Sequence, residues 1–394
     1  MTLAEREVHI ATGRYTKAKV SDTAPNPRIQ YIIGQLRRGG AEQQLYYLLK
    51  YLKPQAQVVS LSQGGYWADP IRDLGTEVIE LQRRGSWDLS RLFALTQITK
   101  RFRPDIVHIF LDNIPGLYGR LSALLRGHFR VITGERAETA IQQAYWYQIL
   151  KPLMNRAVAA VVSNSETNYR YLANRGIASE QKLHCIPNGL ELDRFVDKSK
   201  SNSGVQLWPD GRKRTLIGTV GSLTPVKAPE VFLRTAARVL KSRPEIGFIH
   251  VGEGPLKEKM IALSRELNIQ DSVLFLGQYQ DIPQLLAGLD VFVLTSSSEG
   301  QPNVVMEAMA TGLPCVVTDA GGCSELVRSG ETGFVVPVGS DGDLADRILQ
   351  LLHDNELRGR MGMNGRGHIQ EFDVHRMAER YRQLYCQVMS KELN

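Results

Sequence analysis

The sequence predicts an α/β protein built from two doubly wound parallel sheets that face each other across a cleft. Three observations lead to this prediction. Short β-branched runs alternate with amphipathic helical stretches from Arg28 onward, a polar segment at 197–214 interrupts the alternation, and the same alternation then resumes. A length of 394 residues also favours about two domains over one.

The first predicted domain covers residues 28–196. Before it, residues 1–27 show no sustained period and end in Ala-Pro-Asn-Pro, so we expect a poorly ordered leader. Strands of the first domain are predicted at 28–33, 57–61, 76–81, 105–110, 130–133, 159–164 and 183–187. Helical spacing of apolar residues predicts helices at 41–52 and 89–102.

The second predicted domain covers residues 215–374 and follows a linker at 197–214 that is polar and carries Ser, Gly and Pro. Its strands are predicted at 215–221, 247–252, 272–277, 290–295, 314–319 and 333–337, and its helices include 230–242 and 256–267. A last helix, at 375–389 within the terminal segment 375–394, is expected to pack back toward the first domain. Ligands of such sheets bind at the carboxyl ends of the strands, which places the site in the cleft between the domains.

Composition excludes several classes of protein. A hydrophobic share of 43% is that of a globular chain and argues against disorder or a fibrous protein. The four cysteines form no CxxC pair, so a disulfide framework or a zinc site is not expected, and a reducing cytoplasm is the simplest setting. The N-terminus lacks the apolar stretch of a signal peptide, and no apolar run approaches the roughly 20 residues of a membrane span.

Charge is divided unevenly between the two halves. Residues 1–205 carry 28 Lys and Arg against 18 Asp and Glu, or +10, whereas residues 206–394 carry 20 against 23, or −3. In the basic half, aromatic residues do not alternate with the basic ones, and no motif for recognising bases is present. Nucleic-acid binding is therefore not expected. We expect instead that the basic half contacts an acceptor or an anionic membrane surface, through Arg83, Arg84, Lys100, Arg101, Arg103, Arg120, Arg126 and Arg130 and the aromatic stretch at 144–153. A scattered, solvated basic face is the competing interpretation.

The most informative motif is SSSEGQPNVVMEAMATGLPCVVTDAGGCSELV at 296–327. Pro302 occupies a favoured first helical position, and Gly312 is placed to end that short helix. The helix N-terminus would point at the cleft, where free N–H groups and the helix dipole attract an anion. Glu299 and Glu307, eight positions apart, can accept hydrogen bonds from sugar hydroxyls beside a bound phosphate.

This motif resembles glycosyltransferase family 4, also called glycosyl transferases group 1, and the resemblance extends over nearly the whole chain from about Arg28. It implies the GT-B fold and a retaining, nucleotide-sugar-dependent transferase that uses front-side attack, no covalent intermediate, no obligatory metal and no cofactor. By resemblance, Glu299 contacts hydroxyls of the transferred sugar, Glu307 binds the nucleotide ribose, and the backbone of Gly300, Gln301, Pro302, Asn303 and Val304 holds the diphosphate.

A second motif, GTVGSLTPVKAPE at 218–230, follows the first strand of the second domain. Lys227 would be a point charge beside the donor diphosphate, next to Gly221. The family often has Arg at the position of Ser222, which can donate one hydrogen bond but carries no charge. We therefore expect Lys227 to carry more of the charge stabilisation, or Arg136 to assist from across the cleft.

Further matches to the family are less specific. Gly39 and Gly40 in the first loop are expected near the β-phosphate and the acceptor, where the lack of a Cβ permits close approach. Around the nucleoside we expect Gly252, Glu253, Gly254 and Gly277. Asp112 and Asn113 are candidates for an acceptor loop. Some family members have a catalytic His where this chain has Phe110, and we expect the neighbouring His108 to be a packed core residue.

These observations predict a retaining hexosyl- or N-acetylhexosaminyltransferase that uses a UDP- or GDP-linked sugar and a saccharide or lipid-linked acceptor. Its role would lie in the synthesis of cell-surface polysaccharide or glycolipid, in the cytoplasm or peripherally at the inner face of the plasma membrane. Two alternatives remain open. One is a hydrolase that uses Glu299 and Glu307 as acid and base, and the other is an inactive nucleotide-sugar-binding or scaffolding protein.

Overall fold

The computed structural model describes residues 27–82, 88–111, 117–120, 129–136, 151–195, 208 and 214–390. The expected leader, most of the expected linker, and the candidates Asp112 and Asn113 lie outside the described residues. Of the basic residues proposed to face an acceptor, Arg83, Arg84 and Arg126 also lie outside them.

The first sheet has seven parallel strands in the order β3-β2-β1-β4-β5-β6-β7. The strands are β1 (Arg28–Ile33), β2 (Gln55–Ser60), β3 (Glu77–Glu80), β4 (Ile106–Ile109), β5 (Arg130–Glu135), β6 (Ala160–Ser163) and β7 (Leu183–Cys185). The described helices among them are α1 (Gly40–Leu52), α2 (Ala68–Asp73), α3 (Leu89–Phe102) and α4 (Glu166–Asn174). β1 is the central switch point, because the chain runs outward from it to β2 on one side and to β4 on the other.

The second sheet has six parallel strands in the order β10-β9-β8-β11-β12-β13. The strands are β8 (Leu216–Val220), β9 (Gly247–Val251), β10 (Val273–Gly277), β11 (Val291–Leu294), β12 (Cys315–Thr318) and β13 (Gly333–Val336). The helices are α5 (Pro229–Ser242), α6 (Lys257–Glu266), α7 (Ile282–Ala287), α8 (Asn303–Ala310), α9 (Cys323–Leu326), α10 (Asp341–His353) and α11 (Asn355–His368), and α12 (Val374–Ser390) follows them. Two doubly wound parallel sheets are therefore confirmed.

Two stretches of the chain connect the domains, and they are hydrogen-bonded to each other. The backbone N–H of Leu190 donates to the carbonyl of Phe372, and the N–H of Val374 donates to the carbonyl of Leu190. After the second stretch, α12 packs against α1 and buries Tyr381 and Tyr385 in the core of the first domain. The last helix of the chain is thus part of the first domain's core, which fixes where the two sheets meet.

No helix in the part of the chain that the structure describes is long and apolar enough to cross a membrane.

Candidate functional site

A cavity of about 600 Å³ lies between the carboxyl edges of the two sheets, and both domains line it. This is the size and position expected for a small-molecule site in facing α/β sheets. From the first domain the cavity is lined by Gly39, Gly40, Gln43, Arg136, Asn164, Asn188 and Arg194, among others. From the second domain it is lined by Gly221, Ser222, Lys227, Gly252, Glu253, Glu299 and the run from Gly300 to Val304, with Glu307.

Lys227 and Glu299 form the charged centre of the second-domain wall. The Nζ atom of Lys227 lies 2.5 Å from Oε1 of Glu299, and the hydroxyl of Ser296 donates to the same oxygen at 2.6 Å. The Glu299 side chain is 10% exposed and that of Lys227 is 28% exposed, so the lysine is the more accessible partner. Both side chains line the cavity, and the pair therefore presents a cation with a less exposed carboxylate beside it.

The pair is held because two strand-end loops pack on each other. The hydroxyl of Thr295 donates to the carbonyl oxygens of Lys227 and Ala228, and the N–H of Ser297 donates to the carbonyl of Val226. Ala228 adopts a left-handed backbone, with φ of 45°, immediately before α5. A non-glycine residue in this region costs about 1 kcal/mol, and the bonds from Thr295 offset that cost at the site.

Glycines at the ends of β8, β9 and β10 let these segments approach closely. A Cβ on Gly252 would lie 2.0 Å from the carbonyl oxygen of Gly221, and one on Gly254 would lie 2.4 Å from that of Leu223. Gly277 has a φ of +64°, which favours glycine, and a Cβ at this position would lie 2.4 Å from Oε1 of Glu253. Gly252 and Glu253 line the cavity, whereas Gly254 and Gly277, which were also expected around the nucleoside, are not among its lining residues. The residues after Gly277, including Gln278 and Tyr279, supply the lining there.

The short helix α8 brings its N-terminus to the cavity. It begins at Asn303, so Pro302 is the residue before the helix and not its first residue, one position from the prediction. No side chain caps this end, and the N–H groups of Val305 and Met306 already bond to the carbonyl of Pro302. The N–H groups of Asn303 and Val304 remain at the cavity, where a helix N-terminus favours an anion. Gly312, with φ of +83°, follows the end of the helix as predicted.

Glu307 lies one turn further along α8 and is buried. Its residue is 9% exposed, and Nε2 of Gln43 donates to its Oε1 at 3.5 Å. Burial raises the pKa of the Glu307 carboxyl to about 7, and the Gln43 hydrogen bond and the charge of Arg194 only partly offset that effect. The Glu307 carboxyl is therefore partly protonated at neutral pH.

Arg136 lies on the first-domain wall and is buried at 9% exposure. Its guanidinium lies over the ring of Phe110 at 4.0 Å from the centroid, and it donates to Oδ1 of Asn188 and to the hydroxyl of Tyr381, both at 2.8 Å. Among the described residues, no carboxylate forms an ion pair with it. A guanidinium held on an aromatic face with unfilled pairing capacity is a preformed positive charge at the cavity.

His108 and Phe110 are core residues behind this wall. Both are fully buried, and Nδ1 of His108 lies 2.8 Å from the Tyr385 hydroxyl. Burial lowers the pKa of His108 to about 3, so the imidazole is neutral. The structure thus places His108 in the core, as expected, and gives Phe110 a definite role as the platform for Arg136.

Asn188 joins the two walls. Its backbone N–H donates to Oε1 of Gln301 at 2.5 Å, and its Nδ2 donates to the carbonyl of Gln301 at 3.1 Å and to Oδ1 of Asn303 at 2.8 Å. Asn303 in turn donates to the carbonyl of Gly40 and to Oε1 of Gln43. The side chains of Gln301 and Asn303 and the carbonyl of Gln301 are thus used in bonds between domains, which leaves the backbone N–H groups of the two residues for a ligand.

Two further contacts show how closely the domains meet. A Cβ on Gly300 would lie 2.1 Å from the carbonyl oxygen of Arg136, so only glycine fits there. Both carboxylate oxygens of Glu325 accept backbone N–H bonds from the first turn of α4, from Glu166 at 2.9 Å and from Thr167 at 2.6 Å. The charge of Glu325 matches the positive end of that helix.

The structure therefore brings most of the predicted residues into one cavity. The sequence analysis missed the bridging roles of Asn188 and Gln43 and the position of Arg194. Asn188 directly follows the strand predicted at 183–187, and this strand-end position is the signal that the sequence offers for it. Gln43 and Arg194 carry no local signal, because only the packing of α1 and the domain connection brings them to the cleft.

Comparisons with known proteins cover both domains. Residues 38–194 match the family model described as Glycosyltransferase Family 4, and residues 207–368 match the one described as Glycosyl transferases group 1. N-acetyl-alpha-D-glucosaminyl L-malate synthase of Bacillus anthracis is 32% identical over 318 residues, which are 78% of this chain and 81% of that protein. UDP-Gal:alpha-D-GlcNAc-diphosphoundecaprenol alpha-1,3-galactosyltransferase of Escherichia coli is 26% identical over 312 residues, 77% of this chain and 80% of that protein.

Among solved structures, HepE of Anabaena in complex with UDP and glucose superposes with a TM-score of 0.82. The sequences are 20% identical, and the match covers 92% of this chain and 100% of that one. Likeness at this level of identity supports the arrangement of the two sheets.

Proposed function

The chain belongs to the glycosyltransferases of family 4 and has the GT-B fold, and from this premise we propose that it is a retaining hexosyl- or N-acetylhexosaminyltransferase. It takes a sugar from a UDP- or GDP-linked donor and transfers it to a saccharide or a lipid-linked acceptor. The product contributes to cell-surface polysaccharide or glycolipid.

The observation that carries the proposal is the Lys227–Glu299 pair beside the open N-terminus of α8. When the donor's glycosidic bond breaks, negative charge develops on the diphosphate that leaves. The ammonium of Lys227 and the N–H groups of Asn303 and Val304 stabilise that charge, and such preorganised groups are commonly the largest contribution to catalysis. Glu299 holds Lys227 in place and accepts hydrogen bonds from hydroxyls of the transferred sugar.

Arg136 supplies a second positive charge from across the cleft, and so compensates for Ser222, which lines the cavity without a charge. Glu307 accepts hydrogen bonds from the ribose, for which it must be ionised. Gly221, Gly252 and Glu253 border the nucleoside, and Gly39 and Gly40 border the acceptor side. Closing both walls over the donor orients the acceptor and excludes water.

Retention is proposed from family resemblance, with attack on the same face that the leaving group departs from. The anomeric configuration of the product, followed by NMR from the first turnovers, tests it directly. An inverted product would refute retention. No metal ion or cofactor takes part in the proposed reaction, because Lys227 and the helix N–H groups supply the positive charge. Loss of transfer on addition of EDTA, restored by a divalent cation, would refute that part.

Names of relatives support the donor and acceptor classes. The Escherichia coli relative is named for transfer from UDP-Gal to a diphosphoundecaprenol-linked GlcNAc, and HepE is solved with UDP and glucose. The Bacillus anthracis relative is named for a product of L-malate, so acceptors other than saccharides belong in the same screen.

The deciding experiment is a thermal-shift and turnover screen of UDP-, GDP- and ADP-sugars with saccharide, lipid-linked and hydroxy-acid acceptors. Glu307→Ala should lose donor binding, whereas Glu299→Ala should mainly lose turnover. Donor binding without turnover over the whole panel would favour an inactive binding or scaffolding protein. Rapid donor hydrolysis that needs no acceptor would favour a hydrolase.

We also propose that the first domain lies against an anionic membrane surface at the inner face of the plasma membrane. Lys100, Arg101 and Arg103 cluster at the C-terminal end of α3, and Phe93 on the same helix is 69% exposed. Each basic residue near an anionic surface contributes about 1 kcal/mol to binding. Vesicle co-sedimentation tests this proposal: equal binding to anionic and neutral vesicles would refute it.

A further inference from the structure

A second cavity of about 510 Å³ adjoins the cleft on the first-domain side. Tyr66, Trp67 and Arg194 line both cavities, so the two form one continuous groove. The remaining walls of the second cavity come from α1 and from the two connections between the domains. The groove therefore leads from the reacting centre to the outside of the protein along α1.

One face of α1 lines the groove along its length. Gln43 borders the cleft, whereas Tyr46 and Lys50 border the second cavity. Residues spaced by three and four positions lie on the same side of a helix. At 1.5 Å per residue, the span from Gln43 to Lys50 is about 10 Å. A molecule whose reacting end lies near Gln43 can thus extend along α1 into the second cavity.

Aromatic rings form one side of the second cavity. The rings of Tyr46 and Trp67 lie 5.0 Å apart, and Tyr66 meets Trp67 at 5.1 Å with an interplanar angle of 85°. Tyr66 is 51% exposed, which is unusual for so large a ring. These side chains offer flat apolar faces with polar tips at their edges.

Carboxylates and hydroxyls form the other side. Glu191 is buried, and it accepts hydrogen bonds from Nζ of Lys50 at 2.6 Å and from the hydroxyl of Tyr51 at 2.8 Å. Asp193 and Asp373 also line this side, so that three carboxylates accompany the two cations Lys50 and Arg194. Flat apolar faces opposite hydrogen-bond acceptors match a sugar ring, which has C–H faces and a rim of hydroxyl donors. An anionic ligand would face uncompensated carboxylate charge.

We propose that the second cavity is a subsite for an uncharged oligosaccharide acceptor, which binds the sugars behind the one that reacts. This inference rests on the proposed function and deepens it, because it names the class of acceptor and the surface that selects its length. The three carboxylates favour a sugar over a lipid headgroup or an acyl chain at this place.

The experiment uses neutral mono-, di-, tri- and tetrasaccharides on one common aglycone, offered with the donor that supports turnover. We expect the wild-type kcat/KM to rise about tenfold from the mono- to the trisaccharide. Tyr46→Ala and Asp193→Ala, which alter only the second cavity, should remove most of that rise and leave the monosaccharide rate within about twofold. Met363→Ala, which removes an exposed apolar side chain on α11, is the control and should keep the full rise.

The proposal would be overturned if Tyr46→Ala and Asp193→Ala lowered kcat/KM equally for all acceptor lengths. It would also be overturned if the wild-type kcat/KM did not depend on acceptor length. UDP binding by thermal shift should be unchanged in both variants, which separates this site from the donor site. Failure of every acceptor to react would count against the proposed function. In that case saturation-transfer NMR with the same trisaccharides decides: signals lost in Tyr46→Ala support the subsite, and no signal with wild-type protein overturns it.

Discussion

The two walls of the cleft are assembled in different ways. The second-domain wall takes Lys227 and Glu299 from two loops at neighbouring strand ends, and Glu307 from α8, which follows the second loop. Each of these segments is a short run of sequence. On the first-domain wall, Arg136 depends on Asn188 and Tyr381, which are 52 and 245 positions away along the chain. The second-domain groups proposed to stabilise charge thus come from short segments of the sequence, whereas the hydrogen bonds that join the two walls connect residues far apart along the chain.

This difference separates two kinds of substitution. A change on the second-domain wall should alter donor binding or the chemical step even when the domains close normally. A change at the contacts between the walls should leave the isolated donor site intact and affect transfer through closure. Four substitutions and one pH profile test that separation.

Lys227→Ala should lower kcat by about 100- to 1000-fold, because it removes a preorganised charge at the leaving diphosphate. Donor affinity should fall less, since the helix N–H groups and Glu307 remain. Steady-state kinetics with the preferred donor measure both quantities. Lys241→Ala, an exposed lysine at the end of α5, is the control and should behave as wild type. A Lys227→Ala variant with normal kcat would show that the second-domain wall does not carry the chemistry.

Gly300→Ala should lower transfer by about 100-fold through failed closure, since the new Cβ would lie 2.1 Å from the Arg136 carbonyl oxygen. UDP affinity, which depends on the second domain, should change by less than about threefold. Gly342→Ala, whose Cβ would meet open space in α10, is the matched control. If transfer and UDP affinity fell together, closure and donor binding would not be separable at this position.

Glu307→Gln should weaken donor binding about tenfold at pH 8 and at the same time stabilise the empty protein. The pKa of the Glu307 carboxyl is raised from 4.5 to about 7 in the folded protein. Between pH 4.5 and pH 7 the folded protein therefore binds more protons at this group than the unfolded chain does. The ionised group therefore destabilises the fold above pH 7, and this penalty disappears as the pH falls toward 4.5. We expect Glu307→Gln to raise the free energy of unfolding at pH 8 by about 1–3 kcal/mol and to change it little at pH 4.5.

The same ionisation predicts the pH dependence of the wild-type protein. Because the ribose contact needs the carboxylate, donor affinity should decrease about tenfold between pH 8 and pH 6. The Glu307→Gln variant should show a flat profile over this range. Isothermal titration with UDP at the two pH values measures the ratio. A wild-type affinity that is constant from pH 6 to pH 8 would contradict the raised pKa of Glu307.

Glu325→Gln should have the smallest effect, a rise in the acceptor KM of about threefold. The substitution removes the charge at the N-terminus of α4 and one of the two hydrogen-bond acceptors that join the domains there. Glu331→Gln, an exposed residue in the same domain, is the control. Unchanged kinetics together with an unchanged radius of gyration in solution would show that other contacts between the walls suffice for closure.

The sequence alone determined the two sheets and the chemistry of the second-domain wall. The thirteen strands that the structure describes were all predicted, because buried parallel strands are continuous β-branched runs bounded by turn residues. The roles of Glu299, Glu307 and Lys227 were predicted from the resemblance of two short motifs to the family. Glu299 and Lys227 lie in loops that follow a strand, and Glu307 lies on the helix after one of those loops. Pro302 was misplaced by one position at the start of α8, where propensity defines a boundary weakly. Gly254 and Gly277, predicted around the nucleoside, are not among the residues that line the cavity.

Tertiary structure decided how the first-domain wall is built. Asn188 hydrogen-bonds to Gln301, Asn303 and Arg136 through its side chain and its backbone N–H. The ring of Phe110 supports the guanidinium of Arg136. No local sequence pattern predicts either role. The raised pKa of Glu307 likewise depends on burial by groups from both domains. Hydrogen-bond partners more than 100 positions apart meet only when the domains pack, because local sequence periodicity determines which face of an element is buried and not which distant residue will cover it.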